Sequence, residues 1–220
     1  MKLNRQTLLL PALLASALVS LSACAPLVVG GAAMGTMAYL DRRTSGTQVE
    51  DETIELRAGS RLGEAIPAGH INVTSYNRQV LLTGEVPTEA AKQTAGDLVA
   101  KVENVKGVVN ELAVLGNSSM TGRSNDTLIT GQVKASFLDD KNLYSGAFKV
   151  VTERGTVYLM GRVTKAEADR ATQIARGIGG VQRVVRIFEI LSDEELKQLA
   201  AQGTPVPAPA KPASAASAAR

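Results

Sequence analysis

The chain contains an internal repeat, and this repeat constrains its fold more than any other feature of the sequence. Residues 71–75 align with residues 148–152, and residues 80–86 align with residues 157–163 at the same offset of 77. Apolar positions on both sides of these blocks also match, with single-residue slips. They are Ile54, Ala58 and Leu62 at offset 75, and Ala95, Leu98, Val102, Val105 and Val108 at offset 76. Three blocks in one order predict two copies of a single module.

Each block has its own hydrophobic period. The two central blocks alternate apolar and polar residues, as half-buried strands do, and residues 76–79 and 153–156 supply a hairpin between them. Residues 88–102 and their counterparts place apolar side chains at helical spacing, and a further strand closes each copy. The unit is therefore predicted to be α-β-β-α-β. This is an α+β fold in which a three-stranded mixed sheet packs on two helices.

The N-terminus is typical of a secretory signal peptide. Lys2 and Arg5 precede an apolar core at residues 8–21, and the exit reads Leu-Ser-Ala-Cys. This exit resembles the lipobox of bacterial lipoproteins, which implies cleavage before Cys24 and a covalent lipid on that residue. No other cofactor is expected. An ordinary cleaved signal with a free thiol, or an uncleaved anchor, is the alternative, although an isolated thiol is a liability in an oxidising compartment and the apolar core is short for a spanning helix.

The residue after the lipidated cysteine directs sorting in lipoproteins of this kind. Ala25 is not the aspartate that retains a lipoprotein in the inner membrane. The expected location is therefore the outer membrane, facing the periplasm. Cys24 is also the only cysteine, so the chain cannot form an intramolecular disulfide.

The repeat and the flanking composition divide the chain into six segments. We predict a signal peptide at 1–23, a lipidated tether at 24–46, a first domain at 47–115, a Gly/Ser linker at 116–123, a second domain at 124–193, and a helical end with a disordered Pro/Ala-rich tail at 194–220. The net charge of +3 falls to about +1 without the signal. With no Trp and 3% aromatic residues, the chain does not have the composition of a protein that binds nucleic acid, so no nucleic-acid partner is expected.

Titratable residues are not arranged as in an active site. His70 is the only histidine and is expected to be a solvated loop residue, without a second His or a Cys to complete a metal site or a nucleophilic triad. The acidic runs at 50–52 and 193–195 are expected at helix starts, and Asp139-Asp140 at a helix end. Gly84 and Gly161 come late in strands, where they indicate a bulge or close packing. We expect a binding protein and not an enzyme.

Several strings in the repeat resemble the BON domain family. They are the central Gly84 and Gly161, the closing Val-Lys-Gly-Val-Val-Asn at 105–110 and Val-Gln-Arg-Val-Val-Arg at 181–186, the segment 41–49, Ile-Asn-Val-Thr at 71–74, and Ser-Asn-Asp-Thr at 124–127. Two such domains behind a lipobox resemble the dual-BON outer-membrane lipoproteins. The resemblance covers nearly all of residues 1–193.

The first helix of the second copy has two apolar stripes, although a helix that packs on a small sheet needs only one. Ile129, Val133 and Phe137 form the expected stripe. A second one, about 100° away, consists of Leu128, Gly131, Ala135 and Leu138, and its counterparts in the first copy, Thr53, Leu56, Ser60 and Gly63, are more polar. Two interpretations remain open, because this stripe can face a membrane, with Lys134 and Lys141 reaching phosphates, or pack against the first domain.

The resemblance implies a function for this helix. The second BON domain of such lipoproteins is credited with binding anionic lipids such as phosphatidylglycerol through it, and the family prototype has tryptophan where Leu128 stands, a loss that weakens or shifts interfacial binding. We therefore expect lipid binding by Asp126, Leu128, Gly131, Lys134, Ala135, Leu138 and Lys141. The expected partner is an anionic phospholipid membrane, and the expected role is envelope integrity, including at the division site. The alternative is a protein-docking adaptor for the outer-membrane protein assembly machine or for amidase regulators.

Overall fold

A computed structural model describes residues 41–116 and 120–201 of the chain. The signal peptide, Cys24, the tether up to residue 40 and the tail beyond residue 201 lie outside the described residues, so what the sequence predicts for them stays a prediction. No helix in the two described ranges is both long enough and apolar enough to cross a membrane.

The first copy of the repeat forms two helices and a mixed sheet. Strands β1 and β2 are antiparallel and are joined by Asn77 and Arg78, whose positive φ angles fit a two-residue hairpin turn. The third strand pairs parallel to β2 but is interrupted after Asn110, so it forms two pieces, β3 and β4. The elements are α1 (Ser45–Ala65), β1 (His70–Tyr76), β2 (Gln79–Val86), α2 (Glu89–Ala100), β3 (Gly107–Asn110) and β4 (Ala113–Val114).

The second copy has the same order of elements and an additional C-terminal helix. Its hairpin turn is Arg154-Gly155, and its third strand is continuous and parallel to the second. Helix α3 begins at Met120, within the residues predicted as a linker, because the packing of its buried face outweighs the low helix propensity of Gly122 and Ser124. The elements are α3 (Met120–Asp139), β5 (Phe148–Glu153), β6 (Thr156–Val163), α4 (Lys165–Arg176), β7 (Arg183–Ile190) and α5 (Asp193–Ala201).

Each copy encloses a core between its helices and one face of its sheet, which confirms the predicted α+β fold. In the first copy, Val80 and Leu82 of β2 pack against Ile54 and Ala58 of α1 and against Ala95 of α2. The corresponding core residues of the second copy are Val157, Leu159, Ile129, Val133, Phe137 and Ala171. The helical and strand periods seen in the sequence therefore correspond to these buried faces.

The opposite faces of the two sheets pack against each other. Tyr76 and Leu81 of the first sheet and Tyr158 and Met160 of the second form a separate buried cluster. The helices therefore lie on the outside and the two sheets between them. This interface was not predicted from the sequence, although β2 and β6 carry apolar residues on both of their faces.

Candidate functional site

The second apolar stripe of α3 is exposed. Leu128 is 66% exposed and Leu138 is 54% exposed, and Gly131 and Ala135 between them are exposed as well. The first domain packs on the sheet of the second and does not cover this stripe. The exposed residues Leu128, Gly131, Lys134, Ala135, Leu138 and Lys141 are called the α3 surface below.

Two lysines give the α3 surface a positive charge. Lys134 lies on the helix and Lys141 in the turn that follows it, and both are exposed. Neither makes an ion pair within the described ranges, 41–116 and 120–201. The nearby carboxylate of Asp140 lies 2.5 Å from the Arg170 guanidinium, and this hydrogen bond lowers the Asp140 pKa. Arg170 therefore neutralises Asp140, while the adjacent Asp139 is exposed and places one negative charge next to the two lysines.

Asp126, predicted to bind lipid, has a different role in the structure. Its buried carboxylate accepts hydrogen bonds from the amides of Arg154 at 2.7 Å and Gly155 at 2.9 Å, so it holds the β5–β6 hairpin against α3. Asp51 makes the same contacts with the amides of Asn77 and Arg78 in the first copy. The two aspartates match at the repeat offset of 75, a signal that the sequence already carried. Asp126 is therefore not part of the α3 surface.

The predicted helix start at residues 50–52, which include Asp51, is wrong. Helix α1 begins at Ser45, after Thr44 caps it by accepting from the Thr47 amide. Burial opposes ionisation of Asp51, but hydrogen bonds from Ser75, Arg78 and Arg43 outweigh it and lower the Asp51 pKa. The acidic side chains at 193–195 do lie in the first turn of a helix, as predicted.

A short segment before α1 connects the two domains. We call Asp41, Arg42 and Arg43 the strap. Arg42 is fully buried, and its two terminal nitrogens donate to both carboxylate oxygens of Glu167, at 2.7 and 2.8 Å. It also donates to the Arg162 carbonyl at 2.9 Å, and its guanidinium lies 5.2 Å from the Tyr144 ring centroid. Residues 41–46 were predicted to be tether, but the strap is packed and Ser45 and Gly46 begin α1.

The strap also contacts the first domain, next to the α3 surface. Arg43 pairs with Asp41 at 2.6 Å and with Asp51 at 2.7 Å, and its guanidinium lies 4.2 Å from the Tyr76 ring centroid. Asp41 and Arg43 of the strap and Lys134 and Leu138 of the α3 surface all line one groove of about 230 Å³. The chain therefore enters the two domains beside the α3 surface.

The sheet interface ends in a cluster of charged side chains. Glu85 is fully buried and lies 3.3 Å from Nδ1 of His70 and 3.6 Å from Arg154. His70 is the first residue of β1 and half-buried, not the solvated loop residue that was predicted. Glu153 faces the cluster from the second domain and accepts from Asn72 at 3.1 Å, and burial together with the charge of Glu85 raises the Glu153 pKa. Within the described ranges no group of three His, Cys, Asp or Glu side chains is arranged to hold a metal ion.

Comparison with known proteins identifies the repeated module. The model of the BON domain family matches residues 50–116 and 125–191. The chain belongs to the BON domain family. It is 38% identical over 183 residues to the outer membrane lipoprotein DolP of Haemophilus influenzae. This alignment covers 82% of this chain and 95% of the relative.

Two further relatives are more distant. A 21 kDa hemolysin of Actinobacillus pleuropneumoniae is 35% identical over 68% of this chain and 78% of the relative. The osmotically-inducible protein Y of Escherichia coli is 32% identical over 63% of this chain and 72% of the relative. The two matched BON domains contain most of the strings that indicated the resemblance, whereas the segment 41–49 precedes the first matched domain.

The two BON domains differ in charge. Residues 47–115 contain six Lys and Arg against ten Asp and Glu, which gives the first domain a net charge of −4. Residues 124–193 contain ten basic and eight acidic residues, which gives the second domain a net charge of +2. An anionic surface therefore attracts the second BON domain and repels the first.

Proposed function

We propose that this protein is an outer-membrane lipoprotein, anchored by the lipid on Cys24 and facing the periplasm, that binds anionic phospholipid through the α3 surface of its second BON domain. The observation that carries the proposal is an exposed apolar stripe beside two exposed lysines, which form no ion pair with any described residue. The likeness to an outer membrane lipoprotein supports the location. We further infer a role in envelope integrity, including at the division site, where the protein would follow regions rich in anionic lipid.

The expected affinity of the α3 surface alone is low. Fully burying a leucine side chain gains about 1.5–3 kcal/mol, and each lysine near an anionic surface contributes about 1 kcal/mol. A single weak contact of this size binds vesicles measurably only at high lipid concentration. A lipid anchor supplies the second contact and raises the effective concentration of the bilayer, so even a weak site is occupied.

Charge substitutions in the α3 surface test the proposal. In the mature chain with Cys24→Ser, which removes the lipid, Leu128→Glu and Leu138→Glu should each reduce sedimentation with phosphatidylglycerol vesicles by about ten-fold, because a carboxylate opposes both burial and the anionic surface. Leu56→Glu is the matched control, since Leu56 is a leucine 76% exposed on α1 of the first domain. Equal binding by all variants, or equal binding to phosphatidylcholine vesicles, would refute lipid binding by this surface.

A second candidate function is protein docking through the first BON domain. Val49 is 63% exposed and Leu56 is 76% exposed on α1, seven residues apart and therefore on one face of the helix. An adaptor for the outer-membrane protein assembly machine or for amidase regulators would use such a face. Photo-crosslinkers at positions 56 and 128 in cells distinguish the candidates, because docking predicts one dominant protein adduct at position 56 and lipid binding predicts lipid adducts at position 128.

A further inference from the structure

The strap carries a buried charge with a single carboxylate partner. Arg42 has no exposed surface, and Glu167 accepts from both terminal nitrogens of its guanidinium. A buried guanidinium needs a carboxylate close by, and the bidentate contact through the two terminal nitrogens fits arginine and not lysine. Within the described residues, Nε of Arg42 is buried without a hydrogen-bond partner, so the Glu167 carboxylate supplies most of the compensation. The contact joins residues 125 positions apart. It therefore fixes the strap at one place on the second domain.

Glu167 is itself held rigidly. It lies in the first turn of α4 and forms a capping box with Thr164, whose amide donates to it at 2.8 Å. Burial raises the Glu167 pKa, but hydrogen bonds from Arg42 and Thr164 outweigh this effect and lower it, so the carboxylate is ionised opposite Arg42. Arg42 thus contacts a preformed site on the second domain, although it precedes the first domain in sequence.

The strap also determines where the chain leaves the two domains. Asp41 and Arg43 share a groove with Lys134 and Leu138 of the α3 surface. Any chain that continues from Asp41 toward Cys24 therefore starts beside the surface that we propose to bind lipid. If Arg42 were released, this exit point would no longer be fixed on the second domain.

We propose that Arg42 is a positioning residue. It holds the start of the segment that leads back to Cys24 on the second BON domain, so that the α3 surface faces the bilayer containing the lipid on Cys24. This inference rests on the proposed function. The pair with Glu167 adds no contact with lipid. It acts by fixing the point, beside the α3 surface, from which the chain leads back toward the anchor, and this raises the local lipid concentration at that surface.

A fluorescent reporter at the α3 surface tests the inference. The chain contains no tryptophan and four tyrosines, so Leu128→Trp introduces a single tryptophan whose fluorescence can be excited selectively. In the full lipidated chain, reconstituted in vesicles of phosphatidylethanolamine and brominated phosphatidylglycerol, the reporter should be quenched. Arg42→Met should reduce this quenching about three-fold or more, because the anchor no longer orients the surface. Arg42→Lys should restore part of it. Arg57→Met is the matched control, since Arg57 is exposed and its pair with Glu103, at 2.8 Å, lies within the first domain.

The unlipidated chain separates this inference from the proposed function. With Cys24→Ser, the reporter protein is added to the same vesicles, and Arg42→Met should leave its affinity unchanged within about two-fold, because no anchor remains to be oriented. If the reporter protein does not bind without its lipid, the proposed function fails. If the reporter protein does bind, two results would overturn the positioning role. In one, Arg42→Met leaves the quenching of the lipidated chain unchanged; in the other, it reduces membrane binding of the lipidated and the unlipidated chain equally. Should Arg42→Met not fold, Arg42→Lys and Glu167→Gln decide by the same comparison.

Discussion

At the scale of single residues, one glycine in each domain permits a close approach between strands. Gly84 has a φ of +108°, and a Cβ there would overlap the carbonyl oxygen of His70. Gly161 takes the matching position in the second domain, where a Cβ would lie 2.5 Å from the carbonyl oxygen of Ala147. The close packing that the sequence indicated at these glycines is confirmed, and its cause is contact with backbone that cannot move aside.

Gly84→Ala should therefore destabilise the protein by about 2 kcal/mol or more, because it combines a disfavoured backbone conformation with a steric overlap. Gly59→Ala is the control, since Gly59 lies within α1 with no atom near its potential Cβ and should gain about 0.5–1 kcal/mol. Urea unfolding of both variants measures the free energy of unfolding. A loss of similar size at both positions would contradict this explanation.

At the scale of elements, each domain joins its first helix to its hairpin through one buried aspartate. Asp51 accepts from two amides of the β1–β2 turn and from Ser75 at 2.6 Å, and Asp126 accepts from two amides of the β5–β6 turn. These carboxylates satisfy turn amides that point away from the sheet ladder. The hydrogen bonds of these aspartates therefore fix the position of each first helix on its sheet.

Asp51→Ala should reduce the free energy of unfolding by about 3 kcal/mol, because it leaves two turn amides and the Ser75 hydroxyl without their buried acceptor, while Arg43 keeps its pair with Asp41. The matched substitution Asp97→Ala, on the exposed side of α2, should change it by less than about 0.5 kcal/mol. Denaturant unfolding followed by circular dichroism gives both values. The explanation fails if Asp51→Ala is as mild as the control.

The elements were predictable to different degrees, for physical reasons. Helices and hairpins were predicted because their period and their turn residues are local properties of the chain. The break after Asn110, the start of α3 at Met120 and the strap were not predicted, since they depend on contacts between distant segments. The α3 surface was found as an unexplained stripe, but the sequence left open whether the first domain covers it. The buried role of Asp126 could have been found from its match with Asp51.

At the scale of the whole molecule, the polar end of the sheet interface makes stability depend on pH. Glu85 and Glu153 approach each other from the two domains, with Arg154 as the neighbouring cation and the His70 ring beside Glu85. Asp126 adds further negative charge, although two turn amides stabilise it. Because the Glu153 pKa is raised in the folded protein, its contribution to stability is fully present below its ordinary pKa and is lost as the pH rises through the raised value.

Glu153→Gln should therefore remove part of this pH dependence. The amide oxygen still accepts from Asn72, but no charge develops beside Glu85 as the pH rises. Relative to the parent protein, the variant should gain stability between about pH 4.5 and pH 7, as measured by urea unfolding at both values. A stability difference that is the same at both pH values would contradict a raised pKa.

The orientation of the second BON domain on an anionic bilayer is the central claim, and residue-resolved NMR tests it most directly. The mature chain is labelled at leucine and valine methyl groups and bound to phosphatidylglycerol nanodiscs that contain a spin-labelled lipid. We predict strong paramagnetic broadening of Leu128 and Leu138 and none of Val49 and Leu56. Broadening of Val49 and Leu56 with Leu128 and Leu138 unaffected, or equal broadening of all four, would contradict the account.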